Sequence, residues 1–226
     1  MFKEIFRRLY HHHKLSILLM LVLSSLFGCC LVWFRIYHST YLIFKGLIWN
    51  LFLAWIPYLV SLSLKLSPRL RKIRWLSILL LIAWLLFFPN APYLITDLFH
   101  LKQRPHIPLW YDLAMLISFA WTGAMLGFLS LADMQDVITH KTNRLTGWCF
   151  TIAALLLGSY GVYLGRFGRW NSWDVVTQPS LLFNTILNHV SDPLAHPRIM
   201  GIMIIYTAFM LLCYLTIRAL MAESKV

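Results

Sequence analysis

The sequence predicts an all-α integral membrane protein, a bundle of about six transmembrane helices with a short extracytoplasmic interfacial helix. Three observations lead there. Hydrophobic residues make up 60% of the chain, and mean hydropathy is +0.70. Charged residues are only 12%, about half the share of a soluble domain. The apolar residues gather into six runs, at about 15–34, 41–64, 73–88, 110–131, 145–165 and 199–218. Each approaches the roughly 20 residues that cross a bilayer as a helix. No repeat, low-complexity linker or soluble domain interrupts them, so residues 1–226 read as a single transmembrane domain.

The first run follows Lys3, Arg7, Arg8 and Lys14 and contains "LFGC" at 26–29, a pattern close to a lipoprotein processing site. Phe27 is bulky for such a site, and the run continues through Phe34. A retained membrane helix is therefore expected. The second run contains Pro57, which should kink it while neighbouring helices satisfy the freed carbonyl. The third is short, and Pro89 should end it. The fourth carries Gly123 and Gly127, the fifth Gly161 and Gly165. Two small-residue steps in neighbouring helices predict that the fourth and fifth pack together. Between the fifth and sixth runs, "TQPSLLFNTILNHVSDP" places Leu181, Leu182, Phe183, Ile186, Leu187 and Val190 at helical spacing after Pro179. That stretch is too short to span, so it should lie on the membrane surface or re-enter.

Orientation follows from the basic residues. With the N-terminus in the cytoplasm, thirteen of the 20 Lys and Arg fall on the inner side, in the N-terminal tail, in "KLSPRLRKIR" (65–74), in the 132–144 loop and near the C-terminus. Seven fall outside, among them Arg35 and Lys45 at helix ends. Both termini are thus expected in the cytoplasm. The same distribution accounts for the net charge of +12 without nucleic acid, because the basic residues flank apolar runs and form no soluble patch. Cys29, Cys30, Cys149 and Cys213 all lie inside apolar runs, so neither a disulfide framework nor a thiolate metal site is expected. No phosphate loop, nucleophile elbow or HExxH stretch is present, and no cofactor is expected. No chain of charges is visible deep in the helices, which argues against a proton-coupled transporter.

The unusual chemistry sits in the two long outer connections. In "FFPNAPYLITD" (87–97), Pro89 and Pro92 predict a stiff turn that stops the helix at the outer surface. Asn90 is suited to capping a free amide there. "YLITDLFHL" then reads as a short helix that brings Tyr93, Thr96, Asp97 and His100 toward one place. Asp97 serves either as an exposed cap or as part of an inward polar cluster. Asp112, at the start of the fourth helix, is either a dipole partner or a counter-ion to arginines of the other loop. In "GSYGVYLGRFGRWNSWD" (158–174), Arg166 and Arg169 share a face if the helix continues. They are either snorkelling members of an aromatic belt with Trp170 and Trp173, or a bidentate anion grip. Asn171, Ser172 and Asp174 offer caps and acceptors. His189, Asp192 and His196, with His100 and His106, fit no metal-ligand spacing, and no metal site is assigned. The histidine run at 11–13 reads as part of a headgroup-facing tail.

"FFPNAPYLITDLFHL" (87–101), "WYDL" (110–113) and "GSYGVYLGRFGRWNSWDV" (158–175) together resemble an uncharacterised bacterial membrane family, domain of unknown function 1361. The resemblance covers roughly residues 75–215. It implies a multi-pass protein of the bacterial plasma membrane and carries no assigned activity. The partner it implies is the lipid bilayer.

Three functional classes stay open. The first is a protein that holds an anionic lipid headgroup or cell-envelope precursor, with Asn90, Tyr93, Thr96, Asp97, Asp112, Arg166, Arg169, Asn171 and Asp174 as the site. The second is a membrane enzyme acting on such a lipid, with Asp97 or Asp112 as general base. The third is a structural or partner-binding bundle in which the Asp and Arg residues pair internally.

Overall fold

The computed structural model describes residues 14–39, 44–104, 107–192 and 195–223. Lys3, Arg7, Arg8, the histidine run at 11–13 and His106 lie outside the described residues. Among the described residues the protein is helical, without a strand, and six helical segments are long and apolar enough to cross a membrane. The described chain divides into two compact units that part after Val137.

The first unit holds α1 (Lys14–Ser39), α2 (Lys45–Leu66), α3 (Pro68–Lys72), α4 (Arg74–Phe87), α5 (Asn90–Thr96) and most of α6 (Leu109–Lys141). Its hub is α6. Asp112, Met115, Leu116, Phe119, Gly123, Leu126, Ser130, Asp133 and Val137 are buried at spacings of one helical turn. Of the apolar window in α6, 61% is buried, against 17% in α1. A helix covered on most sides lies inside its unit, whereas α1 shows an apolar outer face to its surroundings.

α6 also runs past the expected end at 131 and consumes most of the predicted 132–144 loop. The reason is packing. Ala132, Met134 and Val137 are buried, and Asp133 and Asp136 find lysine partners, so these charges do not terminate the helix. Thr142 and Asn143 alone separate α6 from the next helix, whose start Asn143 caps by accepting from the Thr146 amide at 2.8 Å.

α1 and α6 run antiparallel in constant register. Lys14 meets Asp133, the Ser24 and Thr122 hydroxyls lie 2.5 Å apart, Gly28 faces the Phe119 ring, and Arg35 meets Asp112. Twenty-one residues separate Lys14 from Arg35 on α1 and Asp112 from Asp133 on α6. At 1.5 Å per residue the two ion pairs stand about 32 Å apart, close to the thickness of a bilayer's hydrocarbon core.

α4 ends at Phe87, just before Pro89 as expected, but the break is brief: Pro89 stays in the right-handed helical region and α5 resumes at Asn90. Two physical features carry the chain through. Pro92 sits in the first turn of α5, where no intrahelical donor is required. The Asn90 side-chain amide donates to the Phe87 carbonyl at 2.9 Å, and the Ala91 amide to the Phe88 carbonyl at 3.2 Å, so the carbonyls beside the break keep partners. With the 3-10 turn at Asp97–His100, residues Arg74–His100 make one interrupted span. α2 likewise passes through Pro57 without a break.

The Gly123–Gly127 step takes in this turn. A Cβ on Gly123 would stand 2.6 Å from both the Ala91 carbonyl oxygen and Leu94 Cδ1, and one on Gly127 would stand 3.2 Å from Ala91 Cβ. Small residues on α6 let the proline-containing backbone approach.

The second unit contains α7 (Arg144–Phe167), α8 (Asp174–Thr177), α9 (Pro179–Ser191) and α10 (Pro197–Glu223). α7 and α10 are the spans. They are joined by Thr207 donating to Ser159 at 2.9 Å and by the edge-on rings of Trp148 and Tyr214. α9 is the short helix expected after Pro179, which occupies its first turn.

Candidate functional site

At one end of the first unit, Arg35 and Asp112 are each only 1% exposed. The guanidinium spans the carboxylate: Nε donates to Oδ1 at 2.7 Å and Nη2 to Oδ2 at 3.1 Å. The remaining Nη1 donates to Ser39 Oγ at 2.9 Å. This planar two-point match is the arrangement arginine makes best. A second guanidinium, Arg104, stands with Nη1 3.4 Å from Asp112 Oδ2 and donates from Nη2 to the His100 carbonyl at 3.2 Å. Both guanidinium carbons lie 4.7 Å from the Phe44 ring centre, within cation–π range. Asp112 does occupy the first turn of α6, as the dipole reading requires, and within this unit its arginines are Arg35 and Arg104.

The other candidates of this unit are mostly engaged locally. Asn90 bonds the Phe87 carbonyl, and Thr96 Oγ1 donates to the Tyr93 carbonyl at 2.7 Å. Tyr93 is half-buried. Asp97 is buried and accepts from Asn50 Nδ2 at 3.3 Å, so it is no exposed cap, whereas His100 is exposed.

In the second unit, Arg166 lies in the last turn of α7, and that helix ends at Phe167. Arg169 adopts a left-handed backbone, φ 57°, so it shares no helical face with Arg166. Gly168 makes this reversal possible, since a Cβ there would stand 2.7 Å from Trp170 Cδ1 and 2.8 Å from the Leu164 carbonyl oxygen. The Trp170 amide closes the turn on that same carbonyl at 3.1 Å. Asp174 organises the next turn. Its Oδ2 accepts from the Asn171 amide at 2.7 Å and from the Asn171 side chain at 3.3 Å, and its Oδ1 accepts from Thr177 Oγ1 at 3.0 Å. These bonds, the Asn171 backbone amide foremost, hold its carboxyl below the ordinary aspartate range. Asn171 and Asp174 are thus brought together as the cap and acceptor expected.

A second ionic group, unforeseen from the sequence, closes the opposite end of α1 and α6. Asp133 is fully buried and receives Lys14 Nζ at 2.8 Å and Lys65 Nζ at 2.7 Å, both on Oδ1. Lys65 also reaches Asp136 Oδ2 at 2.8 Å. Lys14, Arg35, Asp112 and Asp133 are all buried, at the two ends of the α1–α6 pair and not midway along it. One signal in the sequence points to both groups. Two basic residues flanking the first run (Lys14, Arg35) and two acidic residues near the ends of the fourth (Asp112, Asp133) share the same 21-residue interval, which suits two antiparallel helices closed at each end.

The sequence model described as "Protein of unknown function (DUF1361)" matches residues 49–213. The chain belongs to the DUF1361 family. No curated protein and no solved structure matches it. The DUF1361 region starts earlier than the resemblance near residue 75 suggested, within α2. It contains Asp97, Arg104, Asp112, Asp133 and the 166–174 turn, while Lys14 and Arg35, which complete the two ionic groups, precede it.

Proposed function

We propose that this multi-pass membrane protein resides in the plasma membrane with both termini in the cytoplasm, and that its Arg35–Asp112–Arg104 end holds an anionic lipid headgroup or cell-envelope precursor. The charge count at that end carries the reading: two guanidiniums serve one carboxylate. Arg35 is committed to Asp112, while Arg104 keeps 18% of its side chain exposed and meets that carboxylate only at the longer distance. A phosphate or carboxylate would complete Arg104, with the Arg35–Asp112 pair as a fixed wall behind it. The excess of Lys and Arg on the opposite side supports an extracytoplasmic placement of this end. Asp97 and Tyr93 are the neighbouring candidates on the same connection, and Arg166 is a separate candidate for the same chemistry. Both Asp112 oxygens are engaged by guanidiniums, which disfavours Asp112 as the general base of an enzyme acting on a lipid-linked substrate.

Native mass spectrometry of the purified protein tests the headgroup reading. One lipid of defined mass should be retained by the wild type and by Arg166→Ala, and lost in Arg104→Ala. A folded wild type without any specific adduct would favour a structural bundle, a reading supported by the buried Arg35–Asp112 pair itself.

A further inference from the structure

We infer that α9 is an interfacial helix whose Phe183, Leu187 and Val190 face is covered by the acyl chains of the adjoining bilayer leaflet. The helix has 13 residues, about 20 Å, too short to cross. One side of it packs within the second unit. Leu182 is buried, and the His189 ring lies with Nδ1 2.9 Å from the Tyr160 hydroxyl and edge-on to Tyr160 and Tyr163. The opposite side is apolar and open. Phe183, Leu187 and Val190, one and two turns apart, are 63%, 51% and 66% exposed.

The occupant follows from the level at which α9 is pinned. Tyr160 and Tyr163 belong to the last turns of α7, whose 24 residues measure about 36 Å against a core of roughly 30 Å. Arg198, at the start of α10, stacks over Phe167 at 4.8 Å, so the ends of both spans meet at this level. Tyrosines near the end of a span mark the bilayer boundary. A helix fastened to them places its outward face at that boundary and not in bulk water. The face is also continuous in character with Leu157 of α7 and Ile204 and Ile205 of α10, all exposed on helices long enough to span. α9 carries no Lys or Arg, so apolar burial, not charge, would hold it to the leaflet.

Replacing Phe183 by photoreactive benzoylphenylalanine tests this in vesicles of phosphatidylethanolamine and phosphatidylglycerol. After irradiation, intact-mass analysis should find protein carrying one phospholipid as the main adduct. The same replacement at Asn188, on the exposed polar side, should give at least severalfold less. Cross-linked dimer as the main product would assign the face to a second copy and overturn the proposal. So would the lack of any adduct at position 183, or equal lipid labelling at 183 and 188. Each variant is first matched to the wild type by its size-exclusion profile, and Leu187→benzoylphenylalanine gives a second position on the same face should Phe183 prove intolerant. The outcome is independent of the Arg104 headgroup reading.

Discussion

Arg35 and Asp112 close one end of the α1–α6 pair, and Lys14, Lys65 and Asp133 close the other, yet the two closures differ in chemistry. The arginine fork matches a carboxylate in shape, so both oxygens of Asp112 are bonded. Ammonium groups are point donors without that shape, and both lysines converge on one oxygen of Asp133. Among the described residues, the other oxygen of Asp133 and the buried Tyr58 hydroxyl have no hydrogen-bond partner. The arginine end carries surplus positive charge, because Arg104 joins a pair already complete. The lysine end balances two cations with two carboxylates, Asp133 and Asp136. Two buried ionic groups of similar size can therefore do different work: one fixes geometry and leaves a cation over, and the other neutralises itself but bonds unevenly.

The largest test of this contrast is Asp133→Ala. It strands the almost wholly buried Lys14 ammonium and takes one of two carboxylates from Lys65, and should cost about 3–5 kcal/mol of stability in a micelle unfolding titration. A loss under about 1 kcal/mol would show that the lysines reach water without Asp133 and would dissolve the comparison. Next comes the dry stretch between the ends. Gly123→Ala drives a methyl into the Ala91 carbonyl and Leu94 and should cost about 1–3 kcal/mol by the same measurement. A neutral result would mean that α5 moves aside, so that the two ends are not tied through a rigid α6. The finest test exchanges the chemistry. Arg35→Lys should lose about 1 kcal/mol, because one Asp112 oxygen loses a bond, while Lys65→Arg should change stability by less than about 0.5 kcal/mol. Equal effects at both ends would remove the role given to the shape of the fork.

Much of the fold was legible because apolar length is a direct consequence of bilayer thickness. Six runs became six spans, and Pro179 opened α9. Proline was read from its local cost alone: Pro89 does end α4 at Phe87, but Asn90 and the small residues of α6 let the span resume as α5. The candidate site divided in the same way. The self-capping of Asp174 uses neighbours three residues away and could be foreseen. The partner of Asp112 lies 77 residues away on α1, and no local pattern names it.

The sequence by itself determined that this chain lives in a membrane, which segments are long enough to cross it, and where its short amphipathic helix begins. Those properties depend on the composition and length of contiguous residues, and solvent alone decides them. Tertiary structure alone decided which charges are buried, which glycines receive a backbone, and that Arg35 and Arg104 meet Asp112. A buried charge is tolerable only beside its partner, and the partner is chosen by how helices distant in sequence come to lie side by side.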